Sequence, residues 1–316
     1  MAGNLLDRHL IYVTGKGGVG KTTVSAALGL AAAARGRRTI VVEVAEQHHM
    51  SKVFSRLEPE QEERLDHDLY AITIDPQQAL QEWLGRQVGG AALKVLTRSQ
   101  AFQSFVAAAP GAKELITIAK VWEIAQGTRW TKSNRTYDTV IVDAPASGHG
   151  LAMLRTPSTY GDIARIGPIQ RQAYKVRDML RDRERTGYVA VAMPEEMPVT
   201  ETLELQDRLV DTVSAELDAI IVNGLYPERF NGEEAGRLRE LAARNGHRPD
   251  QTAAVLAAVA SADRAAAQRQ HLRRLRRGAR SSVYTLPYLF EEELGLEEYR
   301  ELGERLARRL TDLTSG

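Results

Sequence analysis

The stretch VTGKGGVGKTT, residues 13–23, follows the apolar run LIYVT at 10–14 and precedes a helical pattern over 21–35. It matches the phosphate-binding consensus G-x-x-x-x-G-K-[ST] at Gly15, Gly20, Lys21 and Thr22. In such a loop, glycines let backbone N–H groups turn toward phosphate oxygens, and the helix N-terminus adds positive potential. Because the motif lies between a strand and a helix, it predicts a nucleoside-triphosphate site.

The same loop has a second interpretation. Its glycines also spell the dinucleotide fingerprint G-x-G-x-x-G at Gly15, Gly17 and Gly20. Glu43 ends the next apolar run about 20 residues further on, where a dinucleotide site carries its acidic ribose ligand. Lys21 and Thr22 decide against this interpretation. A triphosphate loop needs the lysine for the β/γ oxygens and the hydroxyl for Mg²⁺, whereas a dinucleotide loop needs neither.

A carboxylate at the end of another apolar run supports the triphosphate interpretation. Asp143 lies near the end of TVIVDA, residues 139–144. At the carboxyl end of a strand it can hold the water shell of Mg²⁺ beside Thr22. An aspartate at a strand end can also serve only to cap the loop that follows. Asp143 therefore supports a metal site only because the phosphate-binding loop is present as well. We predict a nucleoside triphosphate with Mg²⁺ as the ligands.

Short apolar runs and helical patterns alternate along the 316 residues. The runs are continuous, as expected for strands that are covered on both faces. They occupy residues 10–14, 39–44, 70–74, 139–144, 188–193, 219–224 and 283–286. Helical patterns occupy residues 21–35, 198–217, 250–277 and 291–312. This alternation predicts an α/β fold with a doubly wound, mostly parallel sheet.

Two regions depart from the alternation and read as helices without strands. They cover about residues 76–136 and 157–184. We interpret both as helical insertions that form a helical subdomain within a single α/β P-loop domain spanning 1–316. Within the first, residues 112–126 are apolar nearly all round, which predicts a helix that is buried or faces a partner.

Composition narrows the classes of function. The chain has no cysteine, which excludes disulfides, zinc–thiolate sites and thiol catalysis and fits a cytoplasmic location. Its formal net charge is +1, so its overall charge favours neither nucleic acid nor an anionic membrane. The arginine-rich stretch at 269–280 reads as a solvated helix end. His48 and His49 lack further ligands nearby in the sequence for a transition metal.

Taken together, these motifs resemble one family over nearly the whole chain. GKGGVGKTT, with its extra Lys16, is similar to the deviant loop of the arsenical-pump ATPases and the ATPases that target tail-anchored membrane proteins. DAPASGHGLAMLRTP at 143–157 resembles that family's second switch, with His149 in the switch histidine position. A third segment, IIVNG at 220–224, resembles the family's strand whose asparagine reads the adenine edge. A fourth, LPYLFEEELGLEEYRELGERL at 286–306, resembles the family's C-terminal segment, whose proline packs against adenine.

The resemblance implies site residues. The nucleotide would be bound by loop residues and by two residues near the adenine, namely Gly15, Lys16, Gly17, Gly18, Val19, Gly20, Lys21, Thr22, Thr23, Asn223 and Pro287. The metal would be held by Thr22 and Asp143. Lys21 would act on the phosphates of its own chain. Lys16 would reach the phosphates of a second chain, since another cation aimed at the position of Lys21 would be repelled.

One segment departs from the family pattern. The first switch of the family carries D-P-A-H, and its aspartate positions the attacking water. Here the aligned stretch is AEQH, which puts Ala45 in the aspartate position. We predict that Glu46 takes over this catalytic role with a longer side chain. The cysteines that hold metalloid or zinc elsewhere in the family are also absent.

The resemblance implies a Mg²⁺-dependent ATPase that acts as a nucleotide-driven dimer switch. It would bind ATP and ADP, and assemble as a homodimer or with a related ATPase. A hydrophobic client or a membrane partner is compatible with this function, and nucleic acid is not expected. Two alternatives stay open. One is a nucleotide-gated scaffold or chaperone with very slow hydrolysis, and the other is a positioning ATPase of the septum-placing and plasmid-partitioning type.

Overall fold

The computed structural model describes residues 4–44, 62–88, 111–127, 129–130, 135–164, 166–244 and 248–311. Within these ranges, eight strands form a single sheet. They are β1 (Leu10–Gly15), β2 (Thr39–Glu43), β3 (Glu63–Asp66), β4 (Leu69–Thr73), β5 (Thr139–Asp143), β6 (Thr186–Ala192), β7 (Ala219–Leu225) and β8 (Ser282–Pro287). Their order across the sheet is β3-β4-β2-β5-β1-β6-β7-β8. All neighbouring strands pair in parallel except β3 and β4.

Helices cover both faces of this sheet. Those in the described part are α1 (Lys21–Ala33), α2 (Pro76–Val88), α3 (Ala112–Ile124), α4 (Ser147–Ile163), α5 (Pro168–Arg181), α6 (Glu196–Val213), α7 (Gly232–Ala243), α8 (Pro249–Gly278) and α9 (Leu296–Thr311). None of these helices is long and apolar enough to cross a membrane. The predicted α/β class with a doubly wound, mostly parallel sheet is confirmed.

The continuous apolar runs become strands because the sheet buries both of their faces. In β1, Tyr12 enters a core shared with α3, α4 and α6, while Ile11 and Val13 enter a second core shared with α1 and α9. All three side chains are fully buried. A strand with one wet face would alternate apolar and polar residues instead. The sheet therefore fixes β1 at its centre and presents the end of β1 to the following loop.

Two differences from the predicted elements have local causes. The edge strand β3 reads ERLD and has no apolar run, so periodicity gives no signal for it. It is paired antiparallel to β4 across a turn in which Asp68 has φ of 53°. Helix α4 begins ten residues before the predicted 157 and continues through Pro157. The two insertions contain α2, α3, part of α4 and α5, and the proposed helical subdomain stays a prediction.

Candidate nucleotide site

The loop at 15–20 lies at the carboxyl end of β1, between the ends of two neighbouring strands. β1 pairs with β5 on one side, where Val13 is opposite Asp143. It pairs with β6 on the other side, where Gly15 is opposite Val191. In an open parallel sheet, ligands bind outside the carboxyl ends of the strands. The loop, Asp143 and the chain that follows β6 therefore meet at the edge where a ligand is expected.

Two glycines of the loop lie where a side chain would strain the backbone and meet a neighbouring strand. Gly15 has φ of +148°, and a Cβ added to it would lie 2.2 Å from the carbonyl oxygen of Val191. Gly20 has φ of +86°, and its added Cβ would lie 2.2 Å from Nδ2 of Asn223. Each glycine thus combines a left-handed backbone with close contact to a neighbouring strand. The absence of side chains at these two positions lets the loop approach β6 and β7 closely.

Val19 and Asn223 tie the loop to β7. The side chain of Val19 is buried in the core beneath α1 and α9. Its carbonyl oxygen accepts a hydrogen bond from Nδ2 of Asn223 at 3.1 Å. Asn223 was predicted to contact the adenine, and the structure places it against the loop through its amide nitrogen. The amide oxygen of Asn223 does not take part in this bond.

Lys21 begins α1, at the N-terminus that points toward the predicted phosphates. Its Nζ donates to the carbonyl oxygen of Lys16 at 3.1 Å. Burial lowers the pKa of Lys21, and the nearby carboxylate of Asp143 partly offsets this effect. A half-buried ammonium that has lost water gains more from an anion than one in bulk solvent. This position suits a lysine that binds phosphate oxygens.

Two hydroxyl groups of α1 converge on Asp143. Thr22 Oγ1 donates to Oδ2 at 2.7 Å, and Ser25 Oγ lies 3.3 Å from Oδ1. One hydroxyl and one carboxylate fit Mg²⁺, which keeps several waters and takes few protein ligands beside phosphate oxygens. No cluster of three or more His, Cys, Asp or Glu residues suited to a metal occurs in the described ranges. Sequence reasoning missed Ser25, although it lies one turn after Thr22.

Replacement of Asp143 by asparagine is expected to weaken the metal site. An amide keeps the size of the side chain but loses the negative charge and one of the two acceptors that hold Thr22 and Ser25. The Mg²⁺ concentration at half-maximal ATP turnover should rise about tenfold. Titration of turnover with Mg²⁺ measures this change, with Ser25→Ala as the control that keeps the carboxylate. An unchanged Mg²⁺ requirement in Asp143→Asn would exclude Asp143 from the metal site.

The structure also decides between the two interpretations of the glycine loop. In a dinucleotide-binding unit the strand that carries the acidic residue lies directly beside the first strand. Here β5 lies between β1 and β2. Glu43, at the end of β2, is buried, and its Oε2 accepts a hydrogen bond from the hydroxyl of Thr73 at 2.9 Å. Its carboxylate therefore contacts β4, which lies on the side of β2 away from β1.

Lys16 is directed away from the position of Lys21. Its Nζ forms an ion pair with Oε1 of Glu201 at 2.7 Å, and both side chains are 32% exposed. Glu201 lies in the early part of α6, the helix that follows β6. Sequence reasoning gave Lys16 an outward position but did not find Glu201, because 185 residues separate the two. No short-range pattern connects them.

The two predicted adenine contacts lie at the ends of β7 and β8. The register opposes Leu225 to Pro287, and Tyr288 N donates to the carbonyl oxygen of Leu225 at 2.9 Å. Next to them is a cleft of about 430 Å³, whose lining includes Gly224, Tyr226, Arg264, Gln268, His271 and Tyr288. The rings of Tyr226 and Tyr288 lie 4.5 Å apart. Asn223 and Pro287 thus each precede a residue of this cleft.

The other residues predicted for the site lie around the loop, in α4 or outside the described ranges. Gly17 lies near Ala146, in the segment that resembles the family's second switch, and Gly18 is open to solvent. Thr23 is directed to α9, where it hydrogen-bonds the buried Tyr299. His149 is exposed in the first turn of α4. Ala45, Glu46, His48 and His49 lie outside the described residues, so the catalytic role of Glu46 stays a prediction.

Comparison with known proteins identifies the family of this chain. Residues 8–174 and 161–245 match the model of a family described as Anion-transporting ATPase. The chain belongs to this family. The ATPase BagA of Mycobacterium tuberculosis (strain ATCC 25618 / H37Rv) is 30% identical over 240 residues, which are 73% of this chain and 69% of the relative. Membership makes the chain an ATPase, with ATP and Mg²⁺ as its nucleotide and metal.

More distant members have a range of names. ATPase GET3C of Arabidopsis thaliana is 26% identical over 274 residues, covering 70% of this chain and 68% of the relative. A putative arsenical pump-driving ATPase of Halobacterium salinarum (strain ATCC 700922 / JCM 11081 / NRC-1) is 24% identical over 235 residues, covering 71% of this chain and 36% of that protein. The resemblance to arsenical-pump and targeting ATPases is therefore confirmed at the level of the family.

Proposed function

We propose that this anion-transporting ATPase family member is a nucleotide-driven dimer switch that couples ATP hydrolysis to a client or partner. The observation that carries the proposal is the separation of the two lysines of one loop. Lys21 lies half-buried at the N-terminus of α1, whereas Lys16 extends sideways to Glu201. A lysine in the second position is suited to phosphates that belong to another chain.

Each group at the site has a distinct task in this proposal. ATP supplies the anhydride bond whose hydrolysis drives the switch. Lys21 neutralises the β/γ oxygens, and Thr22 with Asp143 holds Mg²⁺. Lys16 of the second copy stabilises the charge that develops as the γ-phosphoryl group leaves. Because a two-fold axis makes the contact reciprocal, each chain completes the site of the other.

The proposed second subunit and client belong to the classes that the sequence analysis named. A homodimer and an assembly with a related ATPase both satisfy the reciprocal contact, and we test the homodimer first. A hydrophobic client or a membrane partner fits the switch, and a cytoplasmic location is part of the proposal. A metalloid held by thiolates does not fit, since the chain has no cysteine although one relative is named a putative arsenical pump-driving ATPase.

The test of this function combines hydrolysis and association. Purified protein should release phosphate from ATP at a steady rate that requires Mg²⁺, and should sediment as a dimer with Mg²⁺ and a slowly hydrolysed ATP analogue. Nucleotide-free protein should sediment as a monomer. Closure without measurable phosphate release would instead favour the nucleotide-gated scaffold. A monomer in every nucleotide state would contradict the dimer switch.

Glu46 is expected to orient the attacking water in place of the missing first-switch aspartate. Glu46→Gln should lower turnover about tenfold or more, because the amide cannot accept the proton of the water, while ATP affinity is kept. The control is Glu43→Gln, a matched change at a carboxylate bonded to Thr73. Phosphate release and calorimetry measure the two quantities. Parental turnover in Glu46→Gln would place the base elsewhere and strengthen the scaffold alternative.

A further inference from the structure

The fold fixes the position of Glu201 beside the loop. α6 follows β6, which pairs directly with β1, so the early part of α6 lies next to the loop that leaves β1. Val199 and Thr202 are buried and anchor this part of α6, whereas Glu201 is turned partly to solvent. The backbone of Glu201 is thus held by the core, and its carboxylate is free to lose or regain Lys16.

The exposure of the pair sets its strength. Both side chains are 32% exposed, and their 2.7 Å contact is both an ion pair and a hydrogen bond. A fully buried ion pair is costly to break, since it leaves an uncompensated charge in a low dielectric. A pair that is one-third exposed is screened by water and has modest strength. Such a contact can hold a side chain in place and still release it.

We infer that Glu201 is a positioning residue that keeps Lys16 within its own protomer and opposes closure of the dimer. This inference rests on the proposed function, in which Lys16 acts on the phosphates of a second chain. To do so, Lys16 must give up the carboxylate of Glu201. Since each copy makes the same exchange, two pairs are lost for every dimer that closes. Glu201 thereby raises the protein concentration at which ATP brings two copies together.

The test uses Glu201→Gln, with Glu204→Gln as the matched control. Glu204 lies three residues further along α6, is exposed, and undergoes the same loss of charge. Sedimentation with Mg²⁺ and a slowly hydrolysed ATP analogue gives the dissociation constant of the dimer. We expect Glu201→Gln to lower this constant about tenfold through the loss of two modest pairs, and Glu204→Gln to match the parent.

A second measurement tests whether the ion pair between Lys16 and Glu201 forms in the monomer. In nucleotide-free protein, acylation of Lys16 by a water-soluble succinimidyl ester, followed by mass spectrometry, should be several-fold faster in Glu201→Gln than in Glu204→Gln. Equal labelling of the two variants overturns the inference. Faster labelling without a tighter dimer also overturns it, because Glu201 would then hold Lys16 without opposing closure. If the parent never associates with nucleotide, the dimer switch itself is wrong, and the labelling still reports whether the pair exists.

Discussion

Lys16→Ala is expected to lower ATP turnover by about a hundredfold or more, the low end of effects for losing one charge-stabilising group at the transition state. ATP binding by the monomer should be nearly unchanged, because the ammonium of Lys16 lies against Glu201 and not in the position of Lys21. Dimerisation driven by nucleotide should weaken, because the contact to the second chain is lost. Phosphate release, calorimetry and sedimentation measure the three quantities.

The matched control for this change is Lys16→Arg. Arginine keeps the positive charge and can still pair with Glu201, but its planar guanidinium differs in shape from an ammonium. It should retain nucleotide-dependent association better than alanine does. If Lys16→Ala hydrolyses ATP at the parental rate, the lysine is a solvated loop residue and has no part in the chemistry.

Lys21→Ala is expected to weaken ATP binding by about ten- to a hundredfold. The change removes a charge-assisted contact of about 1.5–3 kcal/mol to the β/γ oxygens. Burial lowers the pKa of this lysine, so its charge gains more from phosphate than an exposed charge would. Calorimetric titration with ATP and Mg²⁺ gives the affinity. A parental dissociation constant would contradict the assignment of the loop.

Much of the fold could be predicted because its causes are local in sequence. A strand that is buried on both faces is apolar along most of its length, and β1, β2 and β5 were predicted from such runs. The glycine loop could be predicted for a similar reason. Gly15 and Gly20 lie where a side chain would strain the backbone and meet a neighbouring strand, so the sequence pattern itself carries the signal. The predicted phosphate cradle and the neighbouring Asp143 accordingly meet at one edge of the sheet.

The features that were missed depend on contacts between distant parts of the chain. Helix α3 looks apolar nearly all round, yet it buries Lys120 and Glu123. Lys120 pairs with Glu82 of α2, and Glu123 pairs with Arg129. A buried charge is tolerated when a partner is present, and helical periodicity does not identify that partner. The pairing of Lys16 with Glu201 escaped prediction for the same reason.

The most direct measurement of the central claim mixes Lys16→Ala chains with Lys21→Ala chains. If Lys16 acts across the dimer, the Lys16→Ala chain keeps its own Lys21 and receives Lys16 from its partner. One of the two sites of the mixed dimer is then complete. With equal amounts of the two chains, free exchange and a protein concentration that keeps every chain dimeric, about half of the dimers are mixed, and turnover should return to about a quarter of the parental rate per chain. ATP must be present at a concentration that saturates the weaker Lys21→Ala chain.

Each variant alone should be nearly inactive even at saturating ATP, because each lacks one of the two lysines that stabilise charge on the phosphate oxygens during hydrolysis. Distinct affinity tags on the two chains show that mixed dimers form. If Lys16 acts within its own chain, both sites of the mixed dimer lack one lysine, and mixing restores nothing. Recovery to about a quarter of parental turnover is the result predicted here. Mixed dimers that bind ATP but stay inactive would contradict the account.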